Sequence, residues 1–451
     1  DSFYWVLEGR NTLKSKIKYF KKSLPMSYLE KKAKNVIFFL GDGMGLSTIT
    51  AARIYKGNKD GISEPEDGFL AFEKFPFTSL VKVNAMDTLV ADSASTSTSY
   101  LRGVKANYQT IGVTARVKYS DCETSLIDRN RVSSIFDWAQ TEGKLTGFVT
   151  TTRITHATPA GLYAYSANRD WEHFAPDNCS DIAAQLVYGK TGQNIRVAFG
   201  GGRREFLPNN CGFRCEKGLR NDTKNLISEW LSDKKKREFE AHYVTTRQEM
   251  YNLDDNSTDF VLGLFADDHM NYELKRPPNQ PNLSEMTLKA MKILQAKSSN
   301  GFVLFVEGGR IDHAHHSNLG KFALEETYQF NKAIESTLHE TNLDETLVIV
   351  TADHSHSFTI NGYSKRGGNI LGKADVSKKN HTILLYANGP GLRNKVTNIF
   401  DDNYAQKSAV YLSSAAHAGE DIPVYAVGPG AFLFSGVTDQ TFIPHAISYA
   451  A

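Results

Sequence analysis

Runs of consecutive apolar residues, rather than alternating ones, dominate the hydrophobic pattern of this chain. Seven stand out: NVIFFLGDG (35–43), LTGFVTTTR (145–153), NIRVAFGGG (194–202), GFVLFVEGG (301–309), TLVIVTADH (346–354), HTILLYANG (381–389) and IPVYAVGPG (422–430). Each is rich in β-branched or aromatic residues. A strand that is apolar throughout is buried on both faces, as in a parallel sheet covered by helices. Between the runs lie stretches with apolar residues at helical spacing, such as 284–297 and 321–339. The pattern predicts an α/β fold, a three-layer α/β/α sandwich around one central, mostly parallel sheet. Residues 1–30 precede the first strand and read as an N-terminal helical arm, which leaves 31–451 as one domain. Within it, 361–416 interrupts the pattern with Gly-rich and polar loops around one strand, as expected of a small insertion or cap.

In sheets of this kind, ligands bind beyond the carboxyl ends of the strands. Asp42 follows the first run, His156 follows FVTTT, Glu307 ends FVLFV, and Asp353–His354 end LVIVTA. One such residue is an ordinary turn, whereas four strands ending this way point to a site. Of thirteen histidines, five fall in DHAHH (312–316) and DHSH (353–356). Asp312 and His316 are four apart, so a helical turn would aim both the same way. Histidine with carboxylate suits zinc, and oxygen-rich surroundings suit magnesium. Another dense stretch is ADSASTSTSY (91–100), where six small hydroxyls follow Asp92. Ser95 to Ser99 are expected to satisfy nearby backbone at a helix start.

Composition narrows the class further. Apolar content of 41% and charged content of 23% are those of a soluble globular protein. With 52 basic against 50 acidic residues, no global field attracts nucleic acid. The lysines between Lys14 and Lys34 read as the solvated face of the arm. No apolar run approaches the ~18–20 residues needed to span a bilayer. A chain opening on Asp1 is expected to be a processed or trimmed product. Four cysteines allow three pairings, of which Cys122–Cys179 with Cys211–Cys215 is expected in an oxidising compartment; reduced core cysteines are the alternative. Sequons at Asn178, Asn221, Asn256, Asn282 and Asn380 permit secretion without requiring it.

The segments VIFFLGDGMG, ADSA, TTTRITHATPAG, VEGGRIDHAHH, TADHSH and HAGED occur in that order across 36–421. Together they resemble the eukaryotic alkaline phosphatases, and the likeness extends to the arm and the closing FIPHAISYAA. The resemblance implies a phosphomonoesterase with a catalytic domain over 31–451 and 361–416 as its crown-like insertion. It implies two zinc ions and one magnesium ion. The first zinc would be held by Asp312, His316 and His417, the second by Asp42, Asp353, His354 and Ser93. Magnesium would sit on Asp42, His156, Thr158 and Glu307. Ser93 would be the nucleophile that becomes phosphoserine, and Arg169 in SANRDW would grip the phosphoryl oxygens. A homodimer is implied, partly through a swapped arm, with Tyr363 at the partner's site mouth, in a secreted or glycolipid-anchored protein of the cell surface.

Two departures stand out. Thr158 replaces the serine of vertebrate members but keeps a hydroxyl. In GLFADDHM (263–270), Ala266 replaces the glutamate of the vertebrate calcium site, so no vertebrate-type calcium site is expected even with Asp267 and Asp268 beside it. The competing readings are a phosphodiesterase or sulfatase on the same metal pair, and a catalytically silent surface-binding protein.

Overall fold

The computed structural model describes residues 2–176, 178–210, 217–375 and 381–451. Its strands are β1 (Asn35–Gly41), β2 (Phe77–Lys82), β3 (Leu145–Arg153), β4 (Val197–Gly201), β5 (Ala241–Val244), β6 (Phe260–Leu264), β7 (Phe302–Gly308) and β8 (Thr346–Ala352). They continue with β9 (Ser355–His356), β10 (Phe358–Ile360), β11 (Leu384–Gly389), β12 (Ser408–Tyr411), β13 (His417–Ala418), β14 (Ile422–Val427) and β15 (Gly436–Asp439). Ten of them make one sheet, ordered β15-β2-β14-β8-β1-β7-β3-β4-β6-β5. β14 runs antiparallel to β2 and β8, and the remaining pairings in this sheet are parallel.

The central strands β1, β7 and β8 are buried at every residue, which is why their sequences carry no alternation. Helices Leu283–Lys297 and Gly320–His339 pack together over part of the sheet. The first is capped by Asn282, whose side chain accepts from the Glu285 N–H while Glu285 accepts from the Asn282 N–H. The helix Ser93–Arg102 is tied to the sheet by Tyr100, which packs edge-on to Phe38 of β1 with ring centroids 5.9 Å apart. Each such fully buried ring contributes on the order of 2 kcal/mol.

Not every expectation of strand placement holds. The run at 381–389 forms β11, outside the main sheet, in a three-stranded sheet ordered β10-β11-β12. Only part of β11 is buried, so its apolar run reflects one covered face rather than two. Conversely, β2, β5 and β15 were not singled out by the hydrophobic pattern because they are short and partly exposed.

The arm is the helix Ser2–Phe20, and it lies on its own chain's C-terminal helix Phe442–Ala450. Gly9 makes that crossing possible, since a Cβ there would stand 2.1 Å from His445 Cδ2. Phe20 packs on Phe432 at 5.5 Å, and Lys16 Nζ donates to the Ser435 carbonyl at 2.5 Å. Cys122 and Cys179 form a disulfide across 57 residues of sequence, as expected. Cys211, Cys215 and Asn380 lie outside the described residues.

Candidate metal centre

Four adjacent parallel strands, β8-β1-β7-β3, end at one rim of the sheet. Their registers align Gly41 with Ala352 and with Gly308, and Glu307 with Thr150. Neighbouring strands stand about 4.8 Å apart, so residues just past their ends are forced close together. Asp42, Glu307 and Asp353 meet there, each wholly buried. Gly43 must be glycine: its φ is 69°, and a Cβ would stand 2.8 Å from His356 Cδ2 and 3.0 Å from the Asp312 Cα. Its N–H donates to Asp353 Oδ1 at 2.9 Å, as does the His354 N–H at 2.8 Å.

Asp42, Asp353 and His354 bring one ligand atom each within 4.8 Å of one another. Asp312, His316, His356 and His417 do the same. The two groups share a wall, with the rings of His354 and His417 stacked 3.6 Å apart. The short helix Arg310–His316 aims Asp312 and His316 to one side, leaving His316 Nε2 3.2 Å from Asp312 Oδ2. His417 arrives from the far end of the 361–416 segment because β13 pairs with β9, setting His417 opposite His356. His417 Nδ1 lies 2.9 Å from the Ala91 carbonyl and His316 Nδ1 2.5 Å from that of Ala415. A carbonyl only accepts, so both Nδ1 atoms carry hydrogen and both Nε2 atoms face the group. Asp312 Oδ1 also contacts His356 Nε2, a residue of DHSH to which the sequence assigned no role.

Glu307 Oε2 accepts from the hydroxyls of Thr150 at 2.5 Å and Thr152 at 3.2 Å, which fixes its carboxylate. His156 falls into a further group with His269 and with His313 of DHAHH, residues to which no motif assigns a ligand's role. Both ring nitrogens of His269 face Arg153 donors, the backbone N–H at 3.2 Å and Nη1 at 2.6 Å.

Ser93 is the first residue of the helix Ser93–Arg102, and Asp92 is its cap, accepting from the Ser95 N–H. The other five hydroxyls of the stretch bond back to the chain, as expected. Ser95, Thr96, Ser97, Thr98 and Ser99 donate to carbonyls of Asp92, Ala94 or Ser95 at 2.8 to 3.3 Å. Ser93 Oγ instead faces the acids, 3.4 Å from Asp42 Oδ2 and 3.3 Å from His354 Nε2. Arg169 is held beside it, with Nη1 donating to Asp92 Oδ2 at 2.9 Å and Nη2 3.2 Å from His156 Nε2. A cavity of about 720 Å³ opens over Ser93, Arg169, Asp312, His316 and His417.

This arrangement asks for cations. Among the described residues, Asp42 Oδ1, Asp353 Oδ2, Glu307 Oε1 and Thr158 Oγ1 are buried without a hydrogen-bond partner. A lone pair left so costs about 1–3 kcal/mol, and more when it is charged. Burial, reinforced by Asp353, Asp312 and Glu307, pushes the Asp42 carboxyl well above the usual carboxylate range. Burial likewise raises Glu307 to about 7 and Asp353 to about 6. His354 is pushed well down by burial, so its ring is neutral and its lone pair available. Burial also opposes charge on His316, but the Asp312 carboxylate outweighs it and raises His316 to about 9. Without metal, His316 and Asp312 thus share a proton in the place a divalent ion would take. Acids and imidazoles crowded with unused lone pairs fit zinc at the group of Asp42, Asp353 and His354 and at the group of Asp312, His316 and His417. The harder oxygens of Asp42, Thr158 and Glu307 fit magnesium.

Calcium of the vertebrate type does not fit the described residues near Ala266. Asp267 pairs with Arg203 at 2.7 Å, and Asp268 pairs with Arg153 at 2.7 Å and Arg204 at 2.6 Å. Guanidinium groups already neutralise both candidate carboxylates.

Comparison with known proteins agrees with this chemistry. The chain is 40% identical over 474 residues to the membrane-bound alkaline phosphatase of Bombyx mori, covering 100% of this chain and 85% of that one. It is 43% identical over 477 residues to the tissue-nonspecific isozyme of alkaline phosphatase of Felis catus, covering 100% and 88%. Among solved structures, the alkaline phosphatase of the Antarctic bacterium TAB5 superposes with a TM-score of 0.66 at 25% identity, covering 93% of this chain and 98% of that one. Residues 33–451 match the sequence profile of the family described as alkaline phosphatase. The chain belongs to the alkaline phosphatase family.

Proposed function

We propose that this protein hydrolyses phosphate monoesters through a transient phosphoserine on Ser93, in a site holding two zinc ions and one magnesium ion. The observation that carries the reading is Ser93 Oγ itself. It is the hydroxyl of its helix that faces buried acids and imidazoles, with Arg169 fixed at the same cavity.

Asp312, His316 and His417 would hold one zinc, with His356 orienting Asp312 from behind. Asp42, Asp353, His354 and Ser93 would hold the other. Asp42, Thr158 and Glu307, with His156 beside them, would hold magnesium. When bound, the divalent ions make a serine hydroxyl and a water nucleophilic at working pH and offset charge on the transferring group.

The chain's own residues do the rest. Arg169 donates to two phosphoryl oxygens from its planar fork, and its ion pair with Asp92 keeps that fork in place. The start of the ten-residue Ser93–Arg102 helix adds backbone N–H groups and a dipole favourable to an anion. Ser93 Oγ bonds to phosphorus as the ester P–O bond breaks and the alcohol leaves. Water then attacks the same phosphorus, releasing inorganic phosphate and restoring the serine.

Turnover of an aryl monophosphate against the matching diester tests this reading. The monoester is expected to be the better substrate by more than about tenfold in kcat/KM, because once Arg169 has engaged two phosphoryl oxygens the monoester has a third free oxygen and more negative charge to offer the cations, where the diester has a second ester oxygen. Faster diester hydrolysis would favour the phosphodiesterase alternative. Arg169→Ala should weaken inorganic phosphate inhibition by about 10- to 100-fold, the loss of a charge-assisted bidentate contact, while measurable turnover remains. A fully inactive but folded Arg169→Ala enzyme would give Arg169 a role beyond binding.

The same reading extends to the whole protein. A homodimer with Tyr363 reaching the partner's cavity suits a tyrosine that is 84% exposed on the single chain. Placement at the cell surface or outside the cell, freely secreted or on a glycolipid anchor, suits the Cys122–Cys179 disulfide. Asn178, Asn221 and Asn256 are exposed and open to glycosylation, whereas Asn282 is engaged as a helix cap.

A further inference from the structure

Gln109 lines the cavity with its backbone in the left-handed region, at φ 63°. It is the third residue of a four-residue turn. That turn is closed by the Thr110 N–H donating to the Asn107 carbonyl at 3.2 Å, with the Thr110 hydroxyl on the same oxygen at 2.8 Å. Glycine or asparagine ordinarily takes this place, because a Cβ crowds the backbone when φ is positive. A glutamine held there marks a conformation that its surroundings enforce, and such positions cluster where geometry serves function.

The conformation aims both of its peptide groups at the phosphate-gripping pair. The Gln109 N–H donates to Asp92 Oδ1 at 3.1 Å. The Gln109 carbonyl accepts from the Arg169 N–H at 3.0 Å. Asp92 Oδ2 in turn accepts from Arg169 Nη1 at 2.9 Å, which closes a ring of contacts from Gln109 through Asp92 and Arg169 back to Gln109. Next to it, Ile111 and Ser166 exchange two backbone hydrogen bonds of 2.8 and 2.9 Å, so the two segments are joined at successive points. Swinging Gln109 to negative φ would turn its N–H and carbonyl away and open the ring. Asp92 would keep its bonds from Ser95, at 3.2 Å to the N–H and 2.8 Å to the hydroxyl. Arg169 would lose its backbone anchor, and a long side chain freed at its root no longer presents its fork in one direction.

We infer that Gln109 is a positioning residue, whose left-handed backbone, not its side chain, aims the Arg169 guanidinium at the phosphoryl group above Ser93. The inference rests on the phosphomonoesterase reading. Phosphoryl binding of this kind is shared by substrate, transition state and product, so its loss raises KM more than it lowers kcat.

Two substitutions separate backbone from side chain. Gln109→Gly removes the amide but adopts positive φ freely, and Gln109→Val disfavours positive φ through its branched Cβ. The metal-loaded full chain is assayed for KM with an aryl monophosphate, kcat, and inhibition by inorganic phosphate. Gln109→Val should raise KM and the phosphate inhibition constant together by about tenfold, with kcat falling by no more than about threefold. Gln109→Gly should keep both constants within about twofold of the parent, the result that a side-chain role would not give, while the rise in KM without a matching fall in kcat for Gln109→Val is what a merely structural role would not give. Should Gln109→Val not fold, Gln109→Ala is read instead and should shift both constants in the same direction by a smaller factor. A glycine variant as impaired as the valine one would assign the effect to the amide side chain and overturn the inference. So would valine or alanine variants with unchanged constants. A parent protein that neither hydrolyses the monoester nor binds phosphate would instead sink the phosphatase reading, and this inference with it.

Discussion

Ser93→Ala should lower monoester turnover by at least about 10³-fold, the scale on which removal of an attacking group acts when the rest of the site remains. The same change should leave the fold within about 1 kcal/mol of the parent. Ser93 contributes no hydrogen bond to the helix ladder from its side chain, since its Oγ is directed at Asp42 and His354. Alanine is a good residue at a first helical position, and the cap at Asp92 is untouched. Acid quenching during turnover with labelled substrate supplies the direct measurement. The parent should retain labelled phosphate on the protein at low pH, and the variant should retain none. Label still trapped on the variant would place the nucleophile elsewhere. The neighbouring hydroxyls are poor substitutes, because Ser95, Thr96 and Ser97 are each tied to a carbonyl of Asp92 or Ala94.

Stripping the divalent ions should abolish activity and also make the protein less stable as pH rises. Glu307 is raised by burial to about 7 and Asp353 to about 6, and Asp42 is pushed well above the carboxylate range. A carboxyl that is more basic in the folded chain binds its proton more tightly there than in the unfolded chain. Its contribution to stability is therefore complete below its unfolded pKa, near 4, and is lost as pH climbs through the folded value. For Glu307 alone the loss is on the order of 3 kcal/mol. Between about pH 4.5 and 7, the chelated protein should melt at progressively lower temperature. Bound cations reverse the sign, because each must displace protons from these carboxyls and from the His316–Asp312 pair, and so binds more tightly as pH rises.

The gap in Tm between loaded and chelated protein should widen across that window by several degrees, roughly 1 °C per kcal/mol at a length of 451 residues. Glu326, which burial raises to about 8, has the same trend in both states and drops out of the difference. Matched melts at pH 5, 6 and 7 measure the gap. A gap that is constant or narrows with pH would remove these carboxyls from the ligand set. Restoring zinc and magnesium should return turnover, which a silent binding protein would not have to regain.

The central strands were legible in the hydrophobic pattern because a strand covered on both faces has no position where water selects a polar residue. β1, β7 and β8 are of this kind. The edge strands β15 and β5, and β2 next to β15, are short and partly exposed, so their sequences resemble loops. The direction of β14 was not legible either, since burial against two neighbours imposes the same apolar run whether the strand runs with them or against them.

The chemistry at the strand ends was legible for a related reason: an Asp, Glu or His directly after a buried run can lie only at the sheet's rim. Asp42, Glu307, Asp353 and His354 announced themselves that way, and Asp312 with His316 through their spacing of one helical turn. Residue type and local period sufficed for these, because each depends on a single segment of chain. His356 against Asp312, His417 opposite His356 across the β9–β13 pairing, and Gln109 locked between Asp92 and Arg169 depend on distant segments approaching in one register. Such meetings are set by packing and hydrogen bonding across the fold, where no spacing along the chain encodes them.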